Sequence, residues 1–311
     1  MRAVVVRSYG GPEALELADV PVPEPGPGQV RVRVRAAAVN PVDVATRAGL
    51  LVQGGIMAAR EVTGLGWDVA GVVEATGPGV ARFAPGEEVI GLSDRLDLPL
   101  GTHADQVVLD VDAVAPAPAG LSPEEAATLP LNVLTADQAL DRLGLRAGQT
   151  LLITGAAGAV GGFATELAAL RGIRVVAVAG EGDEDLVRRL GAEIFVPRTR
   201  ELSAAVRSAV PGGVDAALDA AVVGLPALEA VRGGGAFAAV VGGAAPPALR
   251  GTRVVNVWIR ADGPRLGELA LLAAEGRLTT RVAGTFPLTE AATAHRLLEK
   301  GGLRGRPVLV P

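Results

Sequence analysis

The sequence predicts an α/β protein in two parts: a doubly wound parallel sheet of six strands within residues 122–259, and a β-rich part over residues 1–121 that residues 260–311 return to complete. Three observations carry this. Residues 151–180, LLITGAAGAVGGFATELAALRGIRVVAVAG, read as strand, glycine turn, helix and strand. Strand and helix patterns then alternate as far as Ile259, as a doubly wound sheet requires. Ahead of residue 121, β-branched runs are separated by turns rich in Pro and Gly, which mark a mainly β region.

In chain order, residues 3–6, 30–34 and 69–74 are the first strands. The alternation Val30-Arg31-Val32-Arg33-Val34-Arg35 sends valines to one face and arginines to the other, as in a half-buried strand. Residues 77–89 are turn chemistry leading into a strand at 89–91, and residues 101–115 supply further strands. Ser122 with Glu124 and Glu125 starts a helix with acids in its first turn, and the helical pattern runs over 126–145. Leu151, Leu152 and Ile153 form an apolar run without alternation, as in a strand buried on both faces. Helical spacing follows to Gly172, then a strand at 175–179. Helices at 184–190, 202–210 and 225–231 separate strands at 194–196, 214–221 and 236–241, and a sixth strand is expected at 254–259. The remainder holds helices at 266–275 and 290–300, with strands near Val282 and at 307–310.

Gly155, Gly158 and Gly161 fall at three-residue spacing where strand becomes helix. So tight a turn needs glycine where φ is positive or where a ligand nears the backbone. The helix that follows offers unpaired N–H groups and a positive dipole end. A pyrophosphate fits there, and strands at the right distance on both sides make the reading a dinucleotide site rather than an ordinary turn. A nucleoside-triphosphate loop is excluded because no Lys-Ser or Lys-Thr follows the last glycine.

Composition narrows the class. At 49% hydrophobic residues over 311, the chain can bury a large core. No apolar run reaches the roughly 18 residues that span a bilayer, and MRAVVVRSYGGPE lacks the features of a secretory signal, which points to the cytoplasm. The absence of Cys removes disulfides, thiolate nucleophiles and Cys-ligated zinc. His103 and His295 are far apart in sequence, without ligand spacing, so no metal is expected. A formal charge of −5, the single Lys300 and only two Trp, one Tyr and five Phe argue against a nucleic-acid surface.

Five segments, VNPVDVATRAG (39–49), GWDVAGVVEATGPGVARFAPGEEV (66–89), AATLPLNVLTA (126–136), GAAGAVG (155–161) and EAATAHRLLEKGGLRGRPVLV (290–310), stand in an order that resembles the zinc-independent quinone oxidoreductase (zeta-crystallin-like) branch of the medium-chain dehydrogenase/reductase superfamily. The resemblance covers essentially the whole chain. It implies a GroES-like β-rich domain, a Rossmann domain, and NAD(P)H-dependent reduction of a quinone or an α,β-unsaturated carbonyl. The superfamily's zinc alcohol dehydrogenases carry a His-Glu pair after a Gly where this chain has Gly66-Trp67-Asp68, and they use Cys ligands missing here. Without a Lewis acid, hydride delivery suits an acceptor that is already electron-poor.

Carried over by position, Ala157, Gly158, Ala159 and Val160 would line the pyrophosphate turn, with Gly180 under the adenosine ribose. Val241, Gly242 and Gly243 with Val257, Trp258 and Ile259 would hold the nicotinamide end, Trp258 toward the substrate, and Thr135 would lie near the nicotinamide. Many relatives have a tyrosine where this chain has Leu50-Leu51, so the proton donor is not identified and Asn40 and Thr135 are the remaining candidates. Asp43 reads as a turn cap or a partner of Arg47, His103 as a loop or strand-end residue or a lining of the substrate cleft, and His295 as structural.

The resemblance also bears on cofactor and assembly. Ala179 stands where NAD-specific enzymes place an acid, which favours NADPH, with NADH the alternative. Arg198 aligns with a residue over the adenine and phosphate, and its guanidinium would both stack and pair; Glu181 and Glu184 oppose it. Residues 253–260, RVVNVWIR, form an edge strand of the kind that pairs two subunits, hence a homodimer. Two other functions stay open: a tailoring enoyl or ketone reductase of a secondary-metabolite pathway, and a non-catalytic NADPH-dependent RNA or single-stranded-DNA-binding protein.

Overall fold

The computed structural model describes residues 1–311, which divide into a first unit (1–131, 260–276 and 280–311) and a second (132–259 and 277–279). The first opens with β1 (Arg2–Val6), β2 (Glu16–Asp19), β3 (Gln29–Ala38), α1 (Pro41–Arg47), α2 (Leu50–Gln53), β4 (Thr63–Gly64), β5 (Asp68–Thr76), β6 (Glu88–Leu92), β7 (Gln106–Asp110), β8 (Val114–Pro116) and α3 (Pro123–Ala126). The two-residue period of β3 does what it predicts. Val30, Val32 and Val34 are buried against Val69, Val73, Val89 and Leu109, while Arg33 and Arg35 are exposed. The single helix expected over 126–145 is two, because Pro130 lacks an N–H and restricts the residue before it; α4 restarts at Pro130–Leu143.

The second unit holds β9 (Thr150–Thr154), α5 (Ala159–Leu170), β10 (Arg174–Ala179), α6 (Glu184–Arg189), β11 (Ile194–Pro197), α7 (Leu202–Ala209), β12 (Val214–Asp219), α8 (Leu225–Glu229), β13 (Val231–Ala239) and β14 (Arg253–Asn256). Its six strands are all parallel, in the order β11-β10-β9-β12-β13-β14. Every residue of β9 is buried, the cause of its unbroken apolar run. The sixth strand ends at Asn256, short of the predicted Ile259, so Trp258 lies beyond the sheet with 43% of its surface exposed. β13 likewise stops at Ala239, which leaves Val241, Gly242 and Gly243 in a loop.

The chain then returns to the first unit with α9 (Gly263–Ala274), β15 (Val282–Pro287), α10 (Ala291–Lys300) and β16 (Arg306–Val310). β16 pairs antiparallel with the end of β3 and parallel with β15, extending the order to β15-β16-β3-β5-β6-β8, while β7 pairs on β3. A smaller sheet, β2-β1-β4, completes the unit. No helix is long and apolar enough to cross a membrane.

Candidate active site

The glycine turn sits where the strand order reverses, between β9 and β12, the place where open α/β sheets bind ligands. Thr154, the last residue of β9, donates its hydroxyl to Asp219 Oδ1 at 2.5 Å and accepts from the N–H groups of Ala220 and Ala221. Asp219 also accepts from Val223 N and Gly224 N, so one buried carboxylate fixes the loop after β12. Nothing in the linear pattern marks Thr154 and Asp219 as partners, since sixty-five residues separate them.

Gly155 has φ +63°, a conformation that favours glycine. A Cβ at Gly161 would overlap the Gly155 carbonyl oxygen and stand 2.8 Å from its carbon and 2.9 Å from Ala156 Cα, so the first turn of α5 lies directly on the loop. Gly158 is the N-cap of α5 in extended conformation, and Ala157, Ala159 and Val160 are buried around it. The four residues read as the pyrophosphate turn therefore form the head of one helix, whose positive dipole end suits a phosphate anion, while Gly158 N itself donates to Gly155 O at 2.9 Å.

At the end of β10, Gly180 N donates to Asp183 Oδ2 at 3.2 Å, and Arg198 N donates to Ala179 O at 2.8 Å. This brings exposed Arg198 to the C-terminal edge of β10. Glu181 lies there too, and its Oε1 accepts from Thr199 Oγ1 at 2.8 Å. At the other end, Val257 N donates to Ala239 O, and the ring of Trp258 borders Gly242, where an added Cβ would stand 3.7 Å from Cζ3. The 241–243 and 257–259 segments are thus brought together. Thr135 is buried on α4.

In the first unit, Asn40, Asp43 and Asp68 have no exposed surface. Asp43 accepts from Asn40 N at 2.7 Å and Gly66 N at 2.9 Å; Asp68 accepts from Leu131 N at 2.5 Å and Asn40 Nδ2 at 2.6 Å. Asn40 Oδ1 accepts from Arg306 Nε at 3.0 Å. Burial pushes both carboxyls up to about 7 against the opposing pull of these bonds, and it lowers Arg306 to about 10. The amide of Asn40, a candidate for catalysis, is engaged at both ends in holding this network.

Asp43 caps α1 as expected, but it does not pair with Arg47, whose guanidinium binds Glu299 at 2.6 Å and reaches His295 Nδ1 at 3.4 Å. The two histidines meet edge to face with ring centroids 6.2 Å apart, although 192 residues separate them in sequence. His103, read as a loop or strand-end residue, is 1% exposed and donates Nε2 to Ala38 O at 3.1 Å. Burial pushes His103 down to about 4 and His295 to about 3, the latter helped by His103 and Arg47. No group of three or more His, Cys, Asp or Glu side chains is arranged to hold a metal ion.

A cradle of this geometry serves proteins that bind a dinucleotide across the switch point, and comparison with known proteins sets the class. Residues 26–119 match the family described as alcohol dehydrogenase GroES-like domain, and residues 190–309 that described as zinc-binding dehydrogenase. The chain belongs to the medium-chain dehydrogenase/reductase superfamily of oxidoreductases. It is 32% identical over 322 residues to the "NADPH-dependent alkenal/one oxidoreductase, chloroplastic" of Arabidopsis thaliana, covering 100% of this chain and 80% of that one. Among solved structures, an NAD-dependent alcohol dehydrogenase is 35% identical with TM-score 0.88, covering 100% of both chains. The quinone oxidoreductase from Coxiella burnetii is 29% identical with TM-score 0.87, covering 100% of this chain and 99% of that one.

Proposed function

We propose that this chain is an NADPH-dependent reductase of quinones or α,β-unsaturated carbonyls that works without zinc. The observation that carries the proposal is the backbone cradle at the head of α5, too close to Gly155 for any side chain at Gly161. The activities for which the Arabidopsis and Coxiella relatives are named support the acceptor class. In this reading residues 122–259 bind the cofactor, and residues 1–121 with 260–311 carry the substrate part. When bound, NADPH supplies the hydride and becomes NADP+, while a proton from water completes reduction of quinone to hydroquinone or of an enone C=C to a saturated ketone.

The chain's own part is to bind and orient. Ala157, Gly158, Ala159 and Val160 receive the pyrophosphate, Gly180 the ribose, and Val241–Gly243, Val257–Ile259 and Thr135 the nicotinamide end. Zinc independence is supported by the absence of Cys and by Trp67 standing where zinc relatives have His. The test is a turnover screen with NADPH against quinones and enones in parallel, with and without a strong chelator. Turnover that survives chelation supports the proposal, and turnover of neither acceptor class overturns it.

Arg198 is the proposed 2′-phosphate ligand. A charge-assisted contact contributes on the order of 1.5 to 3 kcal/mol, or roughly 10- to 150-fold in affinity. Arg198→Ala should weaken NADPH by about that factor and leave NADH nearly unchanged. Equal loss of both cofactors in fluorescence titration would remove Arg198 from this role.

We further infer a homodimer through the free edge of β14, the last strand in its sheet, where Val254 and Val255 are only partly buried. Light scattering at micromolar concentration should give twice the 31.3 kDa chain mass. A cytoplasmic location is also proposed, consistent with a chain free of Cys, and subcellular fractionation tests it.

A further inference from the structure

Within the first unit a recess of about 30 Å³ opens between the segment following α2 and the loop over residues 93–101. Thr46, Arg60, Thr63, Trp67, Ser93 and Arg95 are among its lining residues, and no carboxylate is on its wall. The two arginines differ in state. Arg95 is neutralised by Asp97 at 2.6 Å and Asp110 at 3.0 Å. Arg60, partly buried, donates to backbone carbonyls, Nη1 to Leu98 O at 3.1 Å and Nη2 to Leu96 O at 2.5 Å, and forms no ion pair; Asp97, which is paired with Arg95, feels its charge only at longer range.

Two carbonyls hold the Arg60 guanidinium in a fixed orientation while leaving further N–H donors and a positive charge that no carboxylate contacts directly. Ser93, 7% exposed, adds a hydroxyl that no protein group engages. Size decides what can answer them. A cavity needs some 10–15 Å³ of such space to hold a water, so this recess has room for about two waters or one carboxylate.

We propose that this recess binds the carboxylate of the acceptor, which makes the preferred substrate a short α,β-unsaturated ketone bearing an acid group. The proposal deepens the enone-reductase reading and rests on it for turnover, but the anion site is testable by binding alone. The reaction is the one given above: hydride to one alkene carbon, a proton from water to the other, NADPH oxidised to NADP+, the carboxylate unchanged.

The experiment pairs 4-oxopent-2-enoate with its methyl ester as substrates, and levulinate with methyl levulinate as unreactive ligands in calorimetry. Wild type should bind levulinate and not its ester. Arg60→Gln should lower the acid-to-ester ratio of kcat/KM by ~10- to 100-fold, since a hydrogen bond to a charged group is lost, while the ester alone changes little; Arg60→Lys should restore part of the ratio. Taking the ratio within each variant cancels the different intrinsic reactivity of acid and ester. An unchanged ratio in Arg60→Gln overturns the proposal, as does wild type that binds ester as well as acid, a result needing no variant to fold. Inorganic phosphate binding in place of levulinate would mark a free-anion site and also overturn it. Levulinate binding that is lost in Arg60→Gln, without turnover of any enone or quinone, would keep the anion site and remove the reductase reading instead.

Discussion

Gly161→Ala is expected to lose at least tenfold in NADPH affinity and to melt on the order of 5 °C or more below wild type. The added methyl would meet the carbonyl oxygen and carbon of Gly155 and the Cα of Ala156, all backbone, so no side chain can swing away to make room. Either the glycine turn or the first turn of α5 must shift. Each movement displaces the N–H groups that would receive the pyrophosphate, so binding and stability fall together. Gly158→Ala is the graded comparison: its Cβ meets only Gly155 O, at 3.2 Å, and the extended conformation there suits alanine. Gly182→Ala, with nothing within 4 Å of the new atom, should match wild type in both measurements. Gly161→Ala with wild-type NADPH affinity by fluorescence titration would dissociate the cradle from cofactor binding.

The second large effect is on the pH dependence of stability. Asp43 and Asp68 are held near 7 in the folded protein against about 3.9 in an unfolded chain. As pH falls from about 7 toward 4, the folded state therefore takes up protons before the unfolded state does, and stability rises. His103 and His295 act in the opposite sense. They stay neutral when folded, near 4 and 3, while the unfolded chain protonates them below about 6.5, so stability is lost as pH falls through that range. Two protons gained by the folded state offset two gained by the unfolded state, and wild-type stability from these four groups is nearly level between about 6.5 and 5.

Asp68→Asn removes one side of that balance and should turn the level region into a loss of stability on acidification, on the order of 1 kcal/mol per pH unit relative to wild type. His295→Asn should tilt it the other way, toward greater stability in acid. Urea unfolding of the three proteins at pH 5, 6 and 7 measures the differences directly, and parallel curves would refute the account. Asp68 carries a further load, since its Oδ1 accepts from Leu131 N in the first turn of α4. Asp68→Ala leaves that N–H and Asn40 Nδ2 without their acceptor and removes a carboxyl whose charge acts on buried Arg306, and breaking such a buried charged network costs about 3–5 kcal/mol.

The sequence by itself determined the things that depend on local periodicity and on glycine. The buried run at Leu151–Ile153, the valine and arginine alternation in β3, and the helix head after Gly158 all follow from neighbours a few residues apart, and each stands where the pattern predicts. The family was legible for the same reason, because its five segments are local and ordered. Strand ends were less so: the sixth strand stops at Asn256 because a strand ends where its pairing partner does, and β13 has already ended at Ala239. Tertiary structure alone decided the polar interior. Which carboxylate caps α4, why Arg47 chooses Glu299 over Asp43, how two distant histidines come edge to face, and why Arg60 is held by two carbonyls beside a recess of carboxylate size are all matters of long-range contact. In a low-dielectric interior such contacts set protonation and charge, and no spacing within the chain encodes them.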